Sequence, residues 1–139
     1  MSLAWQNPVL ARYFADPFVW KHEGVYYAHG TGPVTGGRGC GLPMARSDDL
    51  VQWEDIGGAL ECDSAAGLQT IWAGSVAEEG GRFYLYYSAG VGDRGHQLRV
   101  AISEDPAGPF VDTGAPLTRT SSCPFAIDPQ AVRDENGEW

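Results

Sequence analysis

The chain has 139 residues, 43 % of them hydrophobic and 12 % aromatic, with a formal net charge of −9. That apolar and aromatic content supports a buried core and excludes intrinsic disorder, and the length suits one domain. The acidic balance excludes nucleic acid and anionic membranes as partners, since phosphate binding needs clustered Lys and Arg, and no apolar run approaches the roughly 18 residues of a membrane span.

The opening residues, MSLAWQNPVL, lack the basic start and apolar centre of a secretory leader, which points to a cytoplasmic location. A leader removed during maturation would make the protein secreted instead. Trp5 carries no sign of a role. From Asp16 the chain becomes a series of short apolar runs: DPFVW, VYYAHGT, LPMARS and VQWEDIG. Each has strand length, turn residues separate most of them, and no helical period is present. HEG, at 22–24, predicts a tight hairpin between the first two runs. The Gly-rich stretch from Gly30 to Gly41 reads as a flexible loop between strands. It has neither the GK[ST] ending nor the strand–loop–helix setting of a phosphate loop. The series then recurs as IWAGSVA, RFYLYYSA, HQLRVAIS and PFVDTG, with EEGG as its first turn. AIDPQAVRDENGEW opens a third copy, with DENG as the turn.

The recurrence holds position by position. An offset of 57 carries Asp16 onto Ala73, Val19 onto Val76, Gly24 onto Gly81 and Tyr26 onto Phe83. An offset of 56 carries Ala45 onto Ala101 and Ser47 onto Ser103, and Asp128 lies 112 beyond Asp16. Four short antiparallel strands per copy are the mark of β-propeller blades; a β-sandwich with chance similarity is the alternative. Blade one is expected at about 14–60, blade two at about 70–118 and the start of blade three at about 124–139. Two blades and part of a third cannot close a ring, and open blades expose strand edges and apolar faces. The chain is therefore expected to be the N-terminal part of a longer protein, or to complete its ring by self-association.

In a propeller the first strand of each blade lines the central channel. Asp16, Ala73 and Asp128 open the innermost strands of the three copies. Both aspartates precede proline, which biases them towards extended backbone. An Asp-Pro pair can simply start a strand, yet Ala73-Gly74 stands at the same place in the second copy, so the fold does not demand it. Two carboxylates converging on one axis repel each other. Packing gives no reason for that arrangement, whereas glycosidic bond hydrolysis does. Trp72 would sit beside the funnel, either as a stacking face for a sugar ring or as a core aromatic. Trp53, Phe83, Tyr84, Tyr86 and Tyr87 read as packing between blades. His22, in a predicted turn, His29 and His96 have no metal-ligand spacing. Cys40, Cys62 and Cys123 form no CxxC pair and read as reduced thiols rather than a disulfide framework or zinc site. No GxSxG elbow is present.

These motifs, in order, resemble glycoside hydrolase family 43. NPVLARYFADPFVWKHEGVYYAHGTG is similar to the family's opening, ARSDDLVQWEDIGGAL to the outer part of its first blade, and IWAGSVAEEGGRFYLYYSAG to its second-blade segment. LRVAISEDPAGPFVDTG and FAIDPQAVRDENGEW continue in order. The resemblance implies an all-β, five-bladed propeller and an inverting hydrolase of arabinofuranosides or xylosides. It implies that Asp16 is the general base and that Asp128 orients the general acid and tunes its pKa. Trp72 and Ala73 would form the rim of the sugar subsite. Gly74 stands where the family usually has proline, and nothing here matches the family's general-acid Glu, since Glu135 and Glu138 fall in the third copy's turn and next strand start. No cofactor is required; the complete family fold can carry an axial calcium ion whose ligands come from later residues. The expected partner is a small carbohydrate. The rival readings are a non-catalytic sugar-binding propeller and a related propeller glycoside phosphorylase.

Overall fold

The computed structural model describes residues 6–139, and Trp5 lies outside them. Turn residues fold the chain into two antiparallel meanders. In the first, β1 (Ala15–His22), β2 (Val25–Thr31), β3 (Cys40–Ser47) and β4 (Glu54–Leu60) pair in sequence order. In the second, β5 (Thr70–Glu79), β6 (Arg82–Val91), β7 (Arg94–Ser103) and the two-residue β8 (Val111–Asp112) do the same. No helix occurs among the described residues. The all-β, two-sheet reading of the sequence is therefore met. The β1–β2 and β5–β6 hairpins close on two-residue loops: Glu23 and Gly24 have φ of 47° and 90°, Gly80 and Gly81 59° and 74°. Positive φ at both loop positions gives the type I′ turn, whose twist matches its flanking strands. His22 is the last residue of β1 rather than part of that turn; its Nδ1 lies 3.2 Å from Glu78 Oε2.

β4 starts three residues later than the run VQWEDIG suggests. Ser47 Oγ accepts the Leu50 N–H, and the Asp49 carboxylate accepts those of Val51 and Gln52. These local bonds hold residues 48–52 in a turn and compete with a ladder. Trp53 donates its indole N–H to the Leu50 carbonyl and lines a groove with Pro8, Leu10 and Val19. It does not join the core between these two sheets.

The core lies where the two sheets face each other. Leu42, Met44, Ala59 and Leu60 meet Phe83, Leu85, Tyr87, Ala101 and Phe110, all nearly inaccessible. Burying one such large side chain contributes about 1.5–3 kcal/mol. Strand alternation separates the aromatic run of β6. Phe83 and Tyr87 join this core, whereas Tyr84 and Tyr86 are half-buried on the opposite face. The sheets are also tied through backbone: Phe110 N–H donates to the Ala59 carbonyl at 2.7 Å and Glu61 N–H to the Phe110 carbonyl at 2.9 Å. Beneath this join Asp112, its side chain fully buried, accepts from Arg99 Nη2 at 2.5 Å and from the Tyr87 hydroxyl.

Two further expectations need correction. The Gly-rich segment after β2 is tied down rather than loose: the Arg38 carbonyl accepts the Gly58 N–H at 2.8 Å, and Thr35 Oγ1 donates to Asp55. The third copy makes its DENG turn, with Gly137 N–H donating to the Asp134 carbonyl. Residues 126–133, however, form no strand. A strand needs a ladder partner, and among the described residues none pairs with this segment, which rests on β5 instead.

Candidate functional site

The two meanders interrupt their first strands at the same place. The β1–β2 register slips between Ala15 and Phe18, and the β5–β6 register slips between Trp72 and Ser75. Asp16-Pro17 and Ala73-Gly74 occupy these bulges. A bulge opens the ladder and re-aims side chains, and proline is tolerated there because it has no N–H to donate. The third copy brings Asp128-Pro129 alongside.

These three openings meet in one cavity of about 280 Å³, lined by Asp16, Pro17, Phe18, Ala73, Gly74, Asp128, Pro129 and Gln130. The structure thus brings Asp16, Ala73 and Asp128 together. Ala73 is buried and its N–H donates to Thr31 Oγ1 at 2.8 Å, which fixes the floor to the end of β2. Both aspartates are exposed to solvent within the cavity, and among the described residues neither carboxylate has a hydrogen-bond or ion-pair partner.

The backbone at the two aspartates is not extended, as proline at the next position suggested. Asp16 has φ of 50° and Asp128 of 53°, both in the left-handed region. Asp tolerates this region better than most residues, but it still costs of order 1–3 kcal/mol per residue. The same strain at two copies of one position, with ordinary φ at Ala73 between them, marks the aspartates as held for their side chains. Two unpaired, water-accessible carboxylates in one cavity can bind and deprotonate water and can raise the proton affinity of a third acid brought near them.

Trp72 does not line this cavity. Its indole stacks on His96, with centroids 3.8 Å apart, and meets the edge of Phe125. It borders a neighbouring cavity of about 290 Å³ with Thr31, Gly32, Thr70 and Ile71. His96 is fully buried and held by Ser88 Oγ at Nδ1 and the Gly92 carbonyl at Nε2, so it gives the indole a fixed support. Phe18 and Gln130 line the aspartate cavity without having been singled out from sequence. Their only signal was adjacency to the two Asp-Pro pairs. Glu135 and Glu138 do not line the cavity. Among the described residues no group of three or more His, Cys, Asp or Glu side chains is gathered so as to hold a metal ion.

The family model described as Glycosyl hydrolases family 43 matches residues 5–139. The chain is 24 % identical to extracellular endo-alpha-(1->5)-L-arabinanase 2 of Bacillus subtilis, over 88 % of this chain and 31 % of that protein. It is 31 % identical to a beta-xylosidase of Xylanibacter ruminicola, over 58 % of this chain and 26 % of that protein. A crystal structure of a thermostable family-43 glycoside hydrolase superposes with a TM-score of 0.77 at 32 % identity, over 96 % of this chain and 42 % of that one. The chain therefore spans about a third or less of these curated relatives. With both meanders and both Asp-Pro openings inside a match that runs over residues 5–139, the chain belongs to glycoside hydrolase family 43.

Proposed function

We propose that the complete protein is an inverting glycoside hydrolase acting on arabinofuranosides or xylosides of plant polysaccharides and their oligosaccharides. Its ring would have five blades, with blade one at about 14–60, blade two at about 70–118 and the opening of blade three at about 124–139. One observation carries this reading: Asp16 and Asp128, both without a partner among the described residues, line one cavity. Similarity to an arabinanase and a beta-xylosidase supports the substrate class.

In the proposed reaction Asp16 takes a proton from the water that attacks the anomeric carbon. A carboxylic acid from a later blade gives its proton to the leaving oxygen, with about 6.5–9.5 Å between the two to admit that water. The Asp128 anion keeps the acid protonated near neutral pH by repelling its conjugate base. Ala73 bounds the sugar in the aspartate cavity, and Trp72, backed by His96, meets it from the neighbouring cavity. The 139-residue chain holds the base side alone and is inactive by itself. The test is nitrophenyl arabinofuranoside and xyloside turnover, with the product anomer read by NMR. The complete protein should release the inverted sugar and the 139-residue chain none. Retention of configuration would contradict the mechanism, and turnover by the chain alone would contradict the division of labour. Sugar binding with no Asp16-dependent turnover would favour a non-catalytic sugar-binding propeller.

A further inference from the structure

We propose that Gly74 and Ser75, on β5, are positioning residues that set the place of Asp128. This rests on the catalytic reading of the cavity above. Asp128 sits in a segment without a ladder partner among the described residues, so something other than strand pairing must hold it. Upstream, Ala126 N–H donates to the His96 carbonyl at 2.9 Å. Downstream, Ala131 N–H donates to Ser75 Oγ at 3.0 Å, and Ser75 is wholly buried. Between these two ties Pro129 has no N–H and can be placed only by packing. Its ring lies on Gly74: a Cβ added there would fall 2.8 Å from Pro129 Cγ and 3.0 Å from Cδ, and would overlap the Tyr86 carbonyl oxygen. The missing side chain at 74 is what lets the ring approach β5.

The internal repeat supplies a control. Pro17 and Phe18 occupy the positions of Gly74 and Ser75 in the first meander, and β1 bulges there all the same. A bulge at this place therefore does not by itself require Gly-Ser. What β5 has and β1 lacks is the buried hydroxyl, and it is directed at the segment that carries Asp128. Beyond it, Arg133 reaches the Glu78 carbonyl and the Glu79 carboxylate, extending the contact along β5. Asp16 is the other titratable group lining the cavity.

The consequence is specific. Loosening the Ser75 tie lets Asp128 drift, weakens its repulsion of the acid's conjugate base and lowers the acid's pKa. The alkaline limb of the rate profile should therefore move, because it reports the acid. The experiment uses the complete protein with Ser75→Ala and Asp128→Asn, nitrophenyl arabinofuranoside or xyloside, and hydrogen exchange by mass spectrometry. In Ser75→Ala, peptides covering 126–133 should exchange about tenfold faster, the worth of one lost hydrogen bond. The alkaline limb should shift to lower pH, in the direction set by Asp128→Asn and less far. Unchanged exchange, or an alkaline limb that moves in Asp128→Asn and not in Ser75→Ala, overturns the proposal. If no turnover depends on Asp16 or Asp128, the catalytic reading fails and takes this role with it. The exchange result then still reports the tie separately, so the two failures read differently.

Discussion

Lowering the pH from 7 to 5 should cost the 139-residue chain about 2 kcal/mol of stability through His29 alone. His29 lies on β2 with none of its surface exposed, and its two ring nitrogens have no hydrogen-bond partner. The rings of Phe18 and Trp20, themselves 6.3 Å apart, each stand 5.9 Å from it. Burial lowers its pKa from 6.5 to about 3. Between those values the unfolded chain binds a proton that the folded chain refuses, so stability is full above pH 6.5 and falls as the pH drops towards 3. The slope approaches about 1.4 kcal/mol per pH unit, and pH 5 lies about 1.5 units below the unfolded value. The assay is urea unfolding of the wild type and His29→Phe at pH 7 and pH 5. Every other titrating group is common to both chains and cancels in the comparison. The wild type should lose about 2 kcal/mol more than the variant, and the variant should be no less stable at pH 7, because an aromatic ring without orphaned nitrogens suits the site. Equal losses, to within about 0.3 kcal/mol, would mean that His29 takes up its proton as readily in the folded chain as in the unfolded one.

Asp112→Ala should destabilise by about 3–5 kcal/mol in urea, since it strands the Arg99 guanidinium and the Tyr87 hydroxyl in the core; a loss under about 1 kcal/mol would mean the cluster is not desolvated. Burial pushes the Asp112 carboxyl up, but Arg99, Tyr87 and the Gly114 N–H together hold it below the usual carboxylate range. Its contribution is present at neutral pH and is lost as pH falls through that depressed value. Thiol labelling at pH 8, read by mass spectrometry, should reach Cys62 first and Cys40 last. Cys62 is exposed, whereas the half-buried Cys40 thiol is pushed up to about 12 by burial and by the neighbouring Cys62. Labelling of Cys40 ahead of Cys62 would contradict that placement.

The strands and their hairpins were legible because their signals are local. Glu23-Gly24 and Gly80-Gly81 advertise type I′ turns, and the aromatic and β-branched runs between them have no helical period. The meeting of Asp16 and Asp128 was legible for another reason: repetition converts sequence distance into equivalent places around an axis. What sequence hid depends on contacts between segments far apart. The left-handed φ at both aspartates runs against the bias of the following proline and comes from the bulge and the segment packed beside it. The same β5 bulge turns Trp72 onto His96 and leaves Ala73 in the cavity, a division that adjacent positions do not reveal. Trp53 lies outside the core between the two sheets because Ser47 and Asp49 wind the preceding residues into a turn that carries it into the groove with Pro8 and Val19. Gly74 could be noticed as a departure from the family pattern, but its relation to Pro129 appears only when the third copy lies on β5.

The assignment of the base stands or falls on Asp16→Asn in the complete protein. The substitution keeps the shape of the side chain and removes its capacity to accept a proton from water. On nitrophenyl arabinofuranoside or xyloside kcat should fall by about 10²- to 10⁴-fold, with KM changed far less. A kcat within about threefold of the wild type would contradict the assignment of the base to Asp16.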